Sequence, residues 1–223
     1  MDDSLTPGGP RRRGSSAEDR ASWKETYERT PYEELPWFDP DPSPHLVRAV
    51  SERFLVPPAV TLDVGCGADS NVLYLARQGF ESHGVDLSPG AVRAARQRAQ
   101  ASGLTIDVRE GDALDLDFPE GRFGGVNDNG CFHTLPLDRR GDYAREIARV
   151  LRPDGAFVLS WVGRESIGIR GPPHRPSLEE VTRTFEDRFL FVRTAFHPAE
   201  EEGATSIYEA WLLRRSTPQP PPR

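Results

Sequence analysis

The chain of 223 residues has two cysteines, Cys66 and Cys131, one methionine and a single lysine, Lys24. Two thiols do not make a disulfide framework, and no Cys/His group has zinc spacing, so neither a stapled secreted scaffold nor a metal site is expected. Long apolar runs are lacking too. The longest, Ala156 to Val162, is broken by Ser160, far short of the roughly 20 residues a membrane span needs. No apolar stretch follows the basic cluster Arg11-Arg12-Arg13, so it does not read as a signal peptide. A basic excess is also missing. Lysine and arginine number 28 against 35 acids, a net charge of −7, which disfavours nucleic acid or an anionic membrane as partner. These absences predict a soluble, cytoplasmic protein.

Glycine and proline are plentiful, at 20 and 21 residues. Many sit at the ends. Residues 1–18 and 216–223 carry proline, glycine, serine and charge without apolar period and are expected to be disordered tails. Residues 19–215 are expected to form one domain, with 19–58 as an N-terminal cap or lid segment. Within it, helical patterns at 21–29, 45–54, 70–78, 89–101, 138–151 and 177–185 interleave with strand patterns at 59–64, 82–86, 104–109, 124–128 and 156–162. Such alternation predicts an α/β, doubly wound fold with a mostly parallel sheet. Two late strand patterns, 189–194 and 206–213, are joined by an acidic turn at 200–203 with no helix between them. That favours an antiparallel hairpin at one edge of a seven-stranded sheet.

The sharpest signal is LDVGCGADSN, residues 62–71, where a strand runs into a helix. Gly65 and Gly67 allow a tight turn and a close backbone approach to a ligand. Asp86 ends the next strand, 21 residues after Gly65, where an acid can accept hydrogen bonds from ribose hydroxyls. Strand, glycine loop and spaced acid together indicate a nucleoside-bearing cofactor. A diphosphate would sit on the helix N-terminus, but Asp69 and Ser70 stand there, and a carboxylate repels phosphate. Asp69 and Asp63 suit a cofactor with a positive charge, an ammonium or a sulfonium. S-adenosylmethionine (SAM) carries both.

LDVGCG, GVDLSP, EGDALDLDFP and RVLRPDGAFVLS resemble the successive motifs of class I SAM-dependent methyltransferases, over roughly residues 35–214. PWFDPDPSPHLV and DNGCFHTLP resemble the small-molecule branch that includes thiopurine, tellurite-resistance and heterocyclic-toxin methyltransferases. The resemblance implies a Rossmann-like fold, SAM as cofactor, S-adenosylhomocysteine (SAH) as product, no metal and a small-molecule acceptor. It implies that Gly65 and Gly67 back the methionine and ribose, that Asp63 reaches the ammonium, and that Asp86, with Leu87 beside it, holds the ribose. Asp112 and Ala113 would hold the adenine, and Asn127 and Asp128 would face the reacting end. The family usually has a third glycine where this chain has Asp69.

Methyl transfer is chiefly a matter of positioning, at the carboxyl ends of the strands. That places the segment 128–135 beside the methyl group. His133, the one histidine there, is read as a base or a substrate contact, with a loop-packing histidine as the alternative and Asp128 as the rival polar group. Tyr32, Trp37 and Phe38 lie in the proline-rich segment 31–44. Their rings are expected to close over SAM and acceptor, Trp37 nearest the sulfonium; packing onto the core is the alternative for Trp37. Trp161 and Arg170, at and after the fifth strand, are expected to line the acceptor pocket. His45, His83, His174 and His197 show no constellation. Two rival functions remain: a nucleotide-dependent oxidoreductase of the same fold, and a non-catalytic SAM-binding protein.

Overall fold

A computed structural model describes residues 17–164, 174–198 and 206–216. Arg170, the acidic turn at 200–203 and most of both expected tails lie outside the described residues. One seven-stranded sheet organises the rest, in the order β3-β2-β1-β4-β5-β7-β6. The five parallel strands are β1 (Val60–Val64), β2 (Glu81–Asp86), β3 (Asp107–Glu110), β4 (Phe123–Asn129) and β5 (Leu151–Val162). The hairpin strands β6 (Phe189–His197) and β7 (Ile207–Arg214) complete it, with β7 antiparallel to both β5 and β6. The doubly wound sheet with its antiparallel C-terminal pair is therefore as the sequence indicates. No helix among the described residues is long and apolar enough to cross a membrane.

Helices cover both faces. They are α1 (Ala17–Arg29), α2 (Pro44–Ser51), α3 (Ser70–Arg77), α4 (Pro89–Ala101), α5 (Arg140–Val150) and α6 (Leu178–Phe185). Their ends follow local chemistry. Ser88 caps α4 by accepting from the Ala91 N–H at 3.4 Å, with Pro89 in the first turn, where its missing N–H costs nothing. Ser177 and Glu180 form a reciprocal capping box at α6. The first helix starts inside the expected N-terminal tail. The fifth strand begins at Leu151 rather than Ala156, and takes in Asp154 at φ +58°.

The larger core packs Leu62, Val126, Phe157 and Leu159 of the central strands against Phe132, Tyr143 and Phe185, with Phe189 at the start of β6. A second core, with Leu46, Ala49, Leu75, Val158 and Trp211, fills the α2/α3 side. Phe157 and Leu159 thus face one core while Val158 between them faces the other. Burying both faces of β5 fixes its register, because a one-residue slip would exchange the two sets.

Candidate active site

The carboxyl ends of the adjacent parallel strands β2, β1 and β4 lie side by side at one edge of the sheet. β1 delivers Asp63, which pairs in register with Asn127 on β4. The Asn127 amide donates to Asp63 Oδ1 at 2.5 Å. Beyond β1 the backbone turns sharply at Gly65, φ +68°, and Gly67, φ +56°. A Cβ on Gly65 would lie 2.7 Å from the Cβ of Cys131, so this position needs glycine both for conformation and for space. Cys66 and Cys131 are free thiols, and burial pushes both well up in pKa, which leaves them poor nucleophiles. Asp86 closes the loop onto β2. Its Oδ2 accepts the Gly67 N–H at 2.9 Å and its Oδ1 the Ser88 N–H at 2.8 Å. Two carboxylate oxygens offer about four acceptor positions, so Asp86 keeps capacity for a ligand. Leu87 is half-buried beside it.

Asp69 takes the left-handed conformation, φ +91°, at the start of α3, the backbone a glycine would supply there. The residue is only 2% exposed. Neither carboxylate oxygen has a hydrogen-bond partner, and Asp63 Oδ2 has none either. Burial raises Asp63 to about 7 and Asp69 to about 8, the charge of Asp63 adding to the shift at Asp69. Asp112 is buried after β3, its Oδ1 accepting the Leu114 N–H at 2.9 Å, with half-buried Ala113 next to it.

A cap built from α1 and residues 31–44 lies against this loop. The Tyr27 hydroxyl sits 3.0 Å from where a Gly67 Cβ would be, and accepts from the Trp37 indole N–H at 3.2 Å. Trp37 meets Trp23 edge-on, with centroids 5.6 Å apart. Tyr32 and Phe38 pack edge to face, and Phe38 lies under the Arg98 guanidinium at 5.2 Å. Arg98 donates to Ala68 O at 2.6 Å and to Ser70 Oγ at 3.0 Å. Ser70 in turn bonds Asp39 O, and the Ser43 N–H bonds Asn71 Oδ1. Trp23, Tyr27 and Arg98 escaped the sequence reading. Trp23 and Tyr27, four apart on one helix, were the available signal for an aromatic face.

The segment after β4 differs from what its residues suggest. Asp128 is fully buried. It accepts from the Cys131 N–H at 2.7 Å, the Phe132 N–H at 2.9 Å and the Tyr143 hydroxyl. Burial lifts it to about 6, against these donors. It therefore ties down the loop and is not poised as a base. His133 Nδ1 accepts the Val162 N–H at 3.0 Å, which leaves the proton of the neutral ring on Nε2. Burial, with Arg140 and Arg175 nearby, lowers it to about 4. A nitrogen so occupied is not a free base, and the contact is that of a histidine packing its loop onto the end of β5. Trp161 is also corrected: it is 1% exposed, stacks on Tyr208 at 5.2 Å and donates to Pro176 O at 3.0 Å. It is core, not pocket lining.

His45 and His197, read as isolated, converge on buried Glu209. Its Oε2 lies 3.1 Å from His45 Nδ1, 3.1 Å from His197 Nε2 and 2.6 Å from Arg48 Nη1. Two imidazoles and a carboxylate are a metal-like set, but the guanidinium supplies the cation at the shared oxygen. Burial pushes Glu209 up in pKa, yet these partners outweigh it and hold the group at about 2.

Comparison with known proteins agrees with this geometry. Residues 62–159 match the family described as "Methyltransferase domain". The chain is 30% identical over 155 residues to the 2-heptyl-1-hydroxyquinolin-4(1H)-one methyltransferase of Mycobacteroides abscessus, covering 67% of each protein. It is 38% identical over 127 residues to the nocamycin O-methyltransferase of Saccharothrix syringae, covering 53% of this chain but 40% of that protein. Among solved structures, the Burkholderia thailandensis 1,6-didemethyltoxoflavin-N1-methyltransferase superposes with a TM-score of 0.70 at 24% identity, covering 88% of this chain and 87% of that one. At that identity the likeness speaks for the fold. Motifs, fold and relatives agree: the chain belongs to the class I SAM-dependent methyltransferases.

Proposed function

We propose that the chain methylates a small-molecule acceptor, at S, O or N in that order of preference, and releases SAH. The observation that carries the cofactor site is the trio of buried, unpartnered carboxylate oxygens on Asp63 and Asp69, beside a tight turn that leaves no space for a Cβ at Gly65. Buried acceptors without donors are costly unless a ligand pairs them. Asp63 and Asp69 would take the ammonium, Asp86 the ribose and Asp112 with Ala113 the adenine. SAM supplies an electrophilic methyl group on a sulfonium. The chain's own part is to orient acceptor and cofactor and to exclude water, with the cap of Trp23, Tyr27 and Trp37 above the loop.

The acceptor reading draws on the relatives' small-molecule substrates and on the saturation of Asp128 and His133. With both groups engaged, the nucleophile must arrive with its lone pair free, which favours a thiolate first, then an ionised hydroxyl, then an unprotonated ring nitrogen. Calorimetry with SAH and NADH, followed by SAH-release assays on thiols, phenols and amines, tests the reading. Binding of SAH and turnover whose pH dependence follows the acceptor's own pKa are expected. Binding of NADH in place of SAH would return the oxidoreductase alternative; SAH binding with no turnover on any acceptor class would favour the non-catalytic one.

A further inference from the structure

Asp69 does two things a glycine would not. It holds a left-handed backbone with a Cβ, which strains the chain, and it buries a carboxylate with no partner on either oxygen. Both features are unfavourable to the folded chain alone, and together they point to a ligand.

We propose that Asp69 is a second anionic contact for the ammonium of SAM and SAH, and that the Asp63–Asp69 pair gives up a proton to solvent as that ammonium enters. The inference rests on the cofactor site proposed above. The surroundings support it. The charge of Asp63, on β1, acts on Asp69, and the charges of Asp86 and Asp128, on β2 and β4, act on Asp63. The Cys66 thiol on the same loop stays neutral. The Asn71 amide and the Val72 N–H lie near enough to soften the field in part, but only the Asn127 amide, on Asp63 Oδ1, makes a hydrogen bond of full geometry to the pair. Arg98 is the nearby cation, but it is engaged with Ala68 O, Ser70 Oγ and Pro40 O. With so much negative charge out of water, the pair keeps a proton near neutral pH. An ammonium brings three N–H donors and a positive charge, so the proton becomes redundant. A diphosphate cofactor offers neither, and the same pair would reject it.

Calorimetry of the full chain with SAH at pH 7.5, in two buffers of different ionisation enthalpy, counts the protons exchanged. Between about half a proton and one proton should be released. In Asp69→Gly, which suits the backbone, SAH should still bind, several-fold more weakly, with the release cut by half or more. Methylthioadenosine keeps the nucleoside and thioether but lacks the ammonium, so it should bind with no release to either protein. SAH binding to the wild-type chain without proton release, or with equal release in Asp69→Gly, overturns the inference and leaves the cofactor reading standing. Absence of binding by both SAH and methylthioadenosine overturns the cofactor reading, and the inference with it.

Discussion

Asp63 and Asp128 end neighbouring strands, are both buried and are both pushed upward in pKa by that burial. Their partners differ. Asp128 accepts two backbone N–H groups and a tyrosine hydroxyl, whereas Asp63 keeps one oxygen without a partner. The same residue type one strand apart is thus a structural clamp in one place and an unpaired acceptor in the other. Residue chemistry at a strand end says little until its hydrogen bonds are counted.

The largest effect should come from breaking the clamp. Asp128→Ala orphans the Cys131 and Phe132 N–H groups and the Tyr143 hydroxyl, and each buried orphan costs about 1–3 kcal/mol. A loss of about 3 kcal/mol or more is expected in chemical denaturation. A stable Asp128→Ala protein with turnover alone abolished would restore Asp128 to the chemistry. Asp86 stands between the two cases, since it holds Gly67 and Ser88 and keeps acceptor capacity. Asp86→Ala should weaken SAH binding at least tenfold, roughly 1.4 kcal/mol, with some loss of stability from the freed loop. Unchanged affinity would remove Asp86 from the cofactor site.

Asp69 should show the opposite sign in stability. Asp63 and Asp69 titrate at about 7 and 8 in the fold, above the value near 4 of an unfolded aspartate. Their stabilising contribution is full below about pH 4, declines as pH rises, and is gone once pH has passed through 7 to 8. The protein without ligand should therefore melt lower at pH 8.5 than at pH 6.5. Asp69→Gly should reduce that fall and gain about 1 kcal/mol at pH 8.5 from relief of the left-handed strain. A variant less stable than the wild type at both pH values would contradict this.

The glycine turn after β1 was legible because its signals are local. Gly65 and Gly67 take positive φ as their turn chemistry indicates, and Asp86 meets the turn from β2 by accepting the Gly67 N–H, all within one βαβ unit. The parallel sheet with its antiparallel edge was legible from the alternation of elements. The cluster of His45, Arg48, His197 and Glu209 was not, since its members lie up to 164 residues apart and only the packing of α2 against the β6–β7 hairpin unites them. Trp161 misled for a related reason: its position at the end of a strand is that of a pocket residue, and only the packing against Tyr208 shows that it points into the core.

Trp37 gives the smallest effect on stability and the finest test of the comparison between binding and structural groups. It is 51% exposed, so its removal gives up little buried area. Its indole N–H bonds the Tyr27 hydroxyl, which itself stands over Gly67. The ring therefore reaches the Gly65–Gly67 turn through Tyr27 rather than through the core. Trp37→Ala should cost under about 1 kcal/mol of stability, as surface changes usually do, yet slow turnover about tenfold by loosening the cap. SAH should also protect the segment 31–44 from proteolysis in the wild type, and less so in the variant. A melting temperature that falls in step with turnover, with cleavage after Tyr32 and Trp37 indifferent to SAH, would make Trp37 a packing residue like Trp161 and leave the cap without a catalytic part.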